Sequence, residues 1–114
     1  MPYLRIKTNT TPDDGVGKEL LAAVSSLVSE QLGKHEKFFM GAFEPGAEMI
    51  FAGSDAPLAS LELKALGLPG QKTKVLSKAL CSLVEEKLGI PKDRVYVKFH
   101  DVSRGMWGWN GDMF

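Results

Sequence analysis

One cysteine, Cys81, stands in the whole chain. No intrachain disulfide and no Cys-x-x-Cys pair can form, and thiol redox chemistry is set aside. A surplus of charge is missing too, since 14 basic residues balance 14 acidic ones. Without a basic excess there is little to displace counterions from a nucleic acid, or to hold a polybasic patch against an anionic membrane. No apolar run approaches the length of a membrane span. The start of the chain lacks the charged beginning and apolar core of a signal peptide. The expectation is a soluble, cytoplasmic protein without nucleic-acid or membrane partners. The two histidines, His35 and His100, have no neighbours at ligand spacing, so no metal site is expected.

What is present fits one domain over residues 1–114. Leu4 to Lys7 alternates as a strand. Thr8 to Gly15 is rich in turn residues and leads into a helix over Val16–Leu32, with Leu20, Val24, Leu27, Val28 and Gln31 at helical spacing and Gly33 as its stop. Phe38 to Phe43 reads as a second strand, apolar on both faces. Met49 to Ala52 is a short apolar piece. Ala59 to Ala65 alternates strictly, with one wet face. Lys72 to Leu88 is a second helix with a stripe through Leu76, Ala79, Leu80, Leu83 and Val84, stopped by Gly89. Cys81, on this helix, reads as a small buried apolar residue. Arg94 to Phe99 is the fourth strand, and residues 102–114 form a tail rich in Met, Trp and Gly with a turn at Asn110-Gly111.

The second half repeats the first. Ser26-Leu27-Val28, Glu30, Leu32 and Gly33 recur as Ser82-Leu83-Val84, Glu86, Leu88 and Gly89, at a constant offset of 56. The chain is therefore α/β (α+β): two pseudo-symmetric strand–helix–strand units, about 2–44 and 59–100, each a parallel pair with a crossover helix. Side by side they make a four-stranded mixed sheet with both helices on one face. That leaves the other face uncovered, although Phe38 to Phe43 is apolar both ways and Met106, Trp107, Trp109, Met113 and Phe114 are too apolar for a free end. An oligomer is expected, with the tail at a subunit interface.

The beginning of the chain offers chemistry. A small residue in second position permits removal of the initiator methionine. Pro2 would then present a free secondary amine at the head of the Tyr3-Leu4-Arg5-Ile6 strand, a base held by the sheet. Position alone is also consistent with a proline that merely starts the chain.

Taken together, the residues resemble the macrophage migration inhibitory factor and D-dopachrome tautomerase family. The resemblance is carried by Met1-Pro2, Thr8-Asn9, Gly33-Lys34, Phe51-Ala52-Gly53-Ser54, Pro57-Leu58-Ala59, Leu66-Gly67, Asp93-Arg94-Val95-Tyr96-Val97, Asp101 and Gly108-Trp109-Asn110. It implies the tautomerase fold, a homotrimer whose sheets line a central channel, active sites between subunits, and cofactor-free keto–enol tautomerisation of a small aromatic α-keto acid such as phenylpyruvate. It implies Pro2 as catalytic base. Lys34 would lower the amine pKa and attract the substrate carboxylate, and the Leu66 backbone would help hold the substrate. Tyr96 would come from an adjacent subunit to donate to the developing enolate, and Trp107 and Phe114 would form apolar walls, with Trp109 packing the tail. Lys98 departs from the asparagine often found there and adds a second cation. Leu58 and Leu61 stand where vertebrate relatives carry a Cys-x-x-Cys pair, so no oxidoreductase activity is carried over. The alternative implied by the same family is a cytokine-like, receptor-binding protein that leaves cells by an unconventional route. A nucleic-acid-binding module of βαβ type is disfavoured by the neutral charge.

Overall fold

The computed structural model describes residues 1–114. Its main elements are β1 (Pro2–Thr8), α1 (Val16–Leu32), β2 (Met40–Glu44), β3 (Ala59–Leu66), α2 (Thr73–Leu88) and β4 (Val95–Val102), followed by a small hairpin of β5 (Gly108–Trp109) and β6 (Asp112–Met113). The main sheet runs β2-β1-β3-β4. β1 is parallel to β2, β3 is parallel to β4, and the two units meet along an antiparallel β1–β3 seam. This is the expected pair of strand–helix–strand units. No helix is long and apolar enough to cross a membrane.

Alternation sorts the strands into two faces. Leu4 and Ile6 of β1, and Leu61, Leu63 and Ala65 of β3, meet Leu20, Val24 and Val28 of α1 and Leu76, Leu80 and Val84 of α2 in one fully buried core. Gly33 and Gly89 close the two helices in left-handed conformation, as a helix stop requires. Gly41 of β2 lies so close to α1 that a Cβ there would stand 3.1 Å from Leu21. Cys81 is half-buried rather than buried, and burial raises its thiol pKa against an opposing Ser77 hydrogen bond and the charge of Lys92.

Three expectations need correction. The second strand begins at Met40, not Phe38. Residues Glu36–Phe38 form a tight 3₁₀ turn instead, capped by His35, whose Nδ1 accepts from the Lys37 amide at 3.1 Å. Glu36 ties this turn to α1 by accepting from the Ser25 and Ser26 hydroxyls at 2.7 and 3.2 Å. Phe38 is thereby turned out of the sheet. Arg94 belongs to a second such turn, Lys92–Arg94, and the strand it was expected to start runs on to Val102.

The face of the sheet opposite the helices is also not apolar. It carries Arg5, Lys7, Glu44, Glu62, Lys64, Lys98 and His100, linked in part by Arg5–Glu44 at 2.9 Å, Arg5–Glu62 at 4.0 Å and Lys98–Glu62 at 3.6 Å. The exposed large apolar side chains sit at the rim instead, among them Met40, Ile50, Met106 and Met113. A charged face of this kind suits contact with water, and the apolar excess read from the sequence belongs to the loops and the tail.

Candidate active site

The head of β1 is the centre of the site because the sheet fixes it on both sides. Pro2 is buried and stands opposite Ala65 of β3, while Tyr3 pairs with Met40 of β2 and Lys64 of β3. One step beyond that register, Leu66 ends β3 alongside Met1. The loop after Leu66 is held from below: the Leu68 amide donates to Asp101 Oδ1 at 2.9 Å, and the Gly67 amide donates to the Val102 carbonyl at 3.3 Å. The Asp101 side chain thus pins the loop at Leu68, two residues beyond Leu66.

Over this end the tail folds back. Asn110 and Gly111 both adopt left-handed φ, 56° and 73°, the backbone of a two-residue hairpin turn, and Phe114 N–H donates to the Trp107 carbonyl at 3.1 Å. The result is a cavity of about 410 Å³ lined mainly by Met1, Tyr3, Phe38, Trp107, Trp109 and Phe114. Its wall is an aromatic cluster. Phe38 meets Trp109 and Phe114 edge-on, with centroids 5.3 and 5.5 Å apart, and Trp109 stacks on Phe114 at 5.3 Å. Such contacts favour a flat apolar guest. Trp109, assigned to tail packing from the sequence, packs the tail and lines the cavity at once. Phe38 was missed as a wall residue because nothing in Lys37-Phe38-Phe39 announces the 3₁₀ turn that aims it there.

The electrostatics converge on the terminal amine. The Met1 amine is lowered from 8.0 to about 6, first by burial and second by the Lys34 ammonium. Both act in the same sense, since desolvation and a like charge each disfavour the ammonium form. Lys34 follows Gly33 and donates its amide to the Ser29 carbonyl at 3.0 Å, which anchors it just past the end of α1. Its side chain borders a separate polar groove with Ser26, Glu30, His35 and Glu36 rather than the aromatic cavity itself. Lys34 thus acts on the amine through its charge while lining a groove distinct from the cavity.

Tyr96 and Lys98 are not brought to this place within one protomer. Tyr96 pairs with Ser60, which pairs with Lys7, and Lys98 pairs with Glu62, which pairs with Arg5. At about 3.3 Å per residue and about 4.8 Å per strand, Tyr96 lies roughly 19 Å from Pro2 and Lys98 roughly 14 Å. Tyr96 instead packs its ring on Phe51, with centroids 4.8 Å apart. Lys98 leans on Glu62. His35 caps a turn and His100 stands exposed on the open sheet face, each with a place independent of the site.

Comparison with known proteins agrees with this architecture. The profile of the family described as Macrophage migration inhibitory factor (MIF) matches residues 1–114. A macrophage migration inhibitory factor homologue of Brugia malayi is 34% identical over 115 aligned residues, covering 100% of this chain and 99% of that protein. The macrophage migration inhibitory factor of Mus musculus is 30% identical with the same coverage. Among solved structures, the homologue from Prochlorococcus marinus superposes with a TM-score of 0.91 at 38% identity, covering 98% of each chain. The factor from Trichinella spiralis superposes with a TM-score of 0.89 at 28% identity, covering 98% of this chain and 99% of that one. A four-stranded mixed sheet backed by two helices, matched along its whole length by these relatives, places the chain in the macrophage migration inhibitory factor family.

Proposed function

We propose that this protein is a cofactor-free keto–enol tautomerase of small aromatic α-keto acids, working as a homotrimer, with the Pro2 amine as its acid–base group after loss of Met1. The observation that carries the reading is the head of β1 beside an aromatic cavity, where burial and Lys34 together lower the amine of Met1 to about 6. A general base works best when its pKa lies near the operating pH. A prolyl amine starts somewhat above the ordinary α-amino value of about 7.7–8.0, and for the buried Pro2 desolvation and a nearby lysine charge would each favour the neutral form.

Tautomerisation moves one proton from carbon to oxygen. The neutral Pro2 amine removes a proton from the carbon next to the ketone. The C–H electrons form the new C=C bond, and the carbonyl π electrons move onto oxygen. That enolate oxygen takes up a proton from water while the prolinium gives its proton to solvent, which restores the free amine; in the reverse direction the prolinium delivers its proton to carbon as the enol O–H proton is lost. Lys34 attracts the substrate carboxylate, the backbone at Leu66 lies beside it, and Trp107 and Phe114, with Phe38 and Trp109, take the phenyl ring. Tyr96 and Lys98, too far away on their own chain, are supplied by the β4 edge of a neighbouring subunit. Tyr96 donates to the oxygen where charge develops, and Lys98 adds a cation for the carboxylate. A receptor-binding role with a vestigial pocket is the alternative, favoured by the exposed Met106 and Met113 on the tail.

The deciding experiment combines intact mass with phenylpyruvate tautomerisation by the wild type and Pro2→Gly. Loss of Met1 together with turnover that collapses in the variant supports the amine base. Loss of Met1 with no turnover of phenylpyruvate or related enols refutes it and leaves the receptor-binding reading.

A further inference from the structure

Arg94 makes more side-chain hydrogen bonds than any other residue, and it stands at the far end of the sheet from Pro2. Nε donates to the Pro57 carbonyl at 3.0 Å, Nη1 to the Phe51 carbonyl at 3.1 Å, and Nη2 to the Ser54 and Ala56 carbonyls, both at 3.0 Å. Four bonds of the rigid guanidinium fork thus close on one short loop, and no carboxylate takes part. The loop needs holding. Phe51 and Ser54 exchange backbone bonds of 2.9 and 3.0 Å across a turn in which Ala52 and Gly53 have φ of 52° and 73°. A left-handed alanine is disfavoured, and it persists where the surroundings fix it.

What this loop delivers to the rest of the molecule is one ring. The Arg94 guanidinium lies 5.3 Å from the Phe51 centroid, and Phe51 in turn meets Tyr96 at 4.8 Å with an interplanar angle of 63°. Tyr96 is 65% exposed. Its hydroxyl makes no hydrogen bond within the protomer, and Phe51 is the aromatic partner that limits its swing. An exposed tyrosine backed by a phenylalanine, itself backed by a four-bonded arginine, is an arrangement for holding a hydroxyl steady where its own chain has no use for it.

We propose that Arg94 is a positioning residue for tautomerisation: through the Phe51–Pro57 loop it holds Phe51 against Tyr96 and so fixes the hydroxyl that Tyr96 presents to a neighbouring subunit's Pro2. The inference rests on the tautomerase reading above. Lysine at 94 keeps the charge but has no planar fork for the four carbonyls, so Arg94→Lys loosens the loop, and Phe51→Leu removes the ring contact while keeping apolar volume. A small misplacement of a group that acts in the transition state lowers kcat more than it alters KM.

Steady-state kinetics on the assembled protein test this. Arg94→Lys and Phe51→Leu are each expected to lower kcat about tenfold with KM within about twofold, and Phe51→Leu added to Tyr96→Phe is expected to cost less than about twofold more. Unchanged kcat with a lowered Tm would mean that Arg94 only stabilises the loop, and multiplicative losses in the double variant would mean that Phe51 does not act through Tyr96; either overturns the proposal. A second readout is independent of turnover. Only Tyr3 and Tyr96 are tyrosines, so 3-fluorotyrosine labelling gives two fluorine signals, assigned with Tyr96→Phe. Arg94→Lys is expected to split or broaden the Tyr96 signal and spare Tyr3; an unchanged Tyr96 signal overturns the proposal. A wild type with no Pro2-dependent turnover overturns the tautomerase reading and the catalytic half of this inference, while the fluorine signal still decides the positioning half.

Discussion

Replacing Lys34 by glutamine separates the two influences on the terminal amine. The Met1 amine is lowered from 8.0 to about 6, by burial first and by Lys34 second, and on the proposed Pro2 base both would act in the same direction. Lys34→Gln is therefore expected to raise the amine pKa, with burial left in place as the larger influence. The sign matters, because with the Pro2 amine as the proposed base, activity is lost as pH falls through its pKa. At pH 6 a base with a pKa of 6 is about half free and one with a pKa of 7 about a tenth free, a loss of up to about fivefold. At pH 8 both are about nine-tenths free or more, so this part of the effect vanishes there. Loss of carboxylate attraction, by contrast, raises KM at both pH values. The assay is kcat/KM for phenylpyruvate across pH 5 to 9, together with a ¹⁵N titration of the labelled Pro2 amine, whose shift is well apart from those of the proline amides. An acid limb that stays in place or moves downward in Lys34→Gln refutes the argument that this cation depresses the amine.

Three further outcomes follow from the same coordinates. Phe38→Ala removes one wall of the cavity along with its edge contacts to Trp109 and Phe114; one aromatic contact to a bound ring is worth about 0.5–1.5 kcal/mol, so KM for phenylpyruvate should rise up to about tenfold while a short aliphatic keto acid is little affected, as substrate-paired kinetics would show. Glu62→Gln frees Lys98 and Arg5 from their shared acid; the pairs are exposed, so stability by urea unfolding should change by no more than about 1 kcal/mol, while the KM of a keto acid falls as the Lys98 charge is released. Gly17→Ala places a Cβ 2.7 Å from the Phe43 ring; the overpacking cost of about 1–3 kcal/mol should outweigh a helix gain of about 1 kcal/mol, and Tm should fall.

Much of the fold was written in local pattern. The 3.6-residue stripes of α1 and α2, the alternation of Ala59 to Ala65 and the glycines that stop both helices depend on near neighbours, and the repeat at a constant offset made two like units from them. Pro2, Lys34, Trp107 and Phe114 could be named because their positions in the chain, matched to a family pattern, needed no knowledge of what lay across the sheet.

Other features depended on residues far apart in sequence. Phe38 left its expected strand because His35 and two serines of α1 hold the turn before it. Arg94 left its strand because four carbonyls of a loop some forty residues earlier bind it better than a ladder position would. The charged open face was legible residue by residue, yet it became a face only through the register that sets Arg5 beside Glu62 and Glu62 beside Lys98. The sequence determined which side chains could act as base, cation and wall. Only the tertiary structure decided their grouping, putting the terminal amine, Lys34 and the aromatic cavity at one end of the sheet and Tyr96 at the other, because strand spacing and direction set distances that no reading along the chain contains.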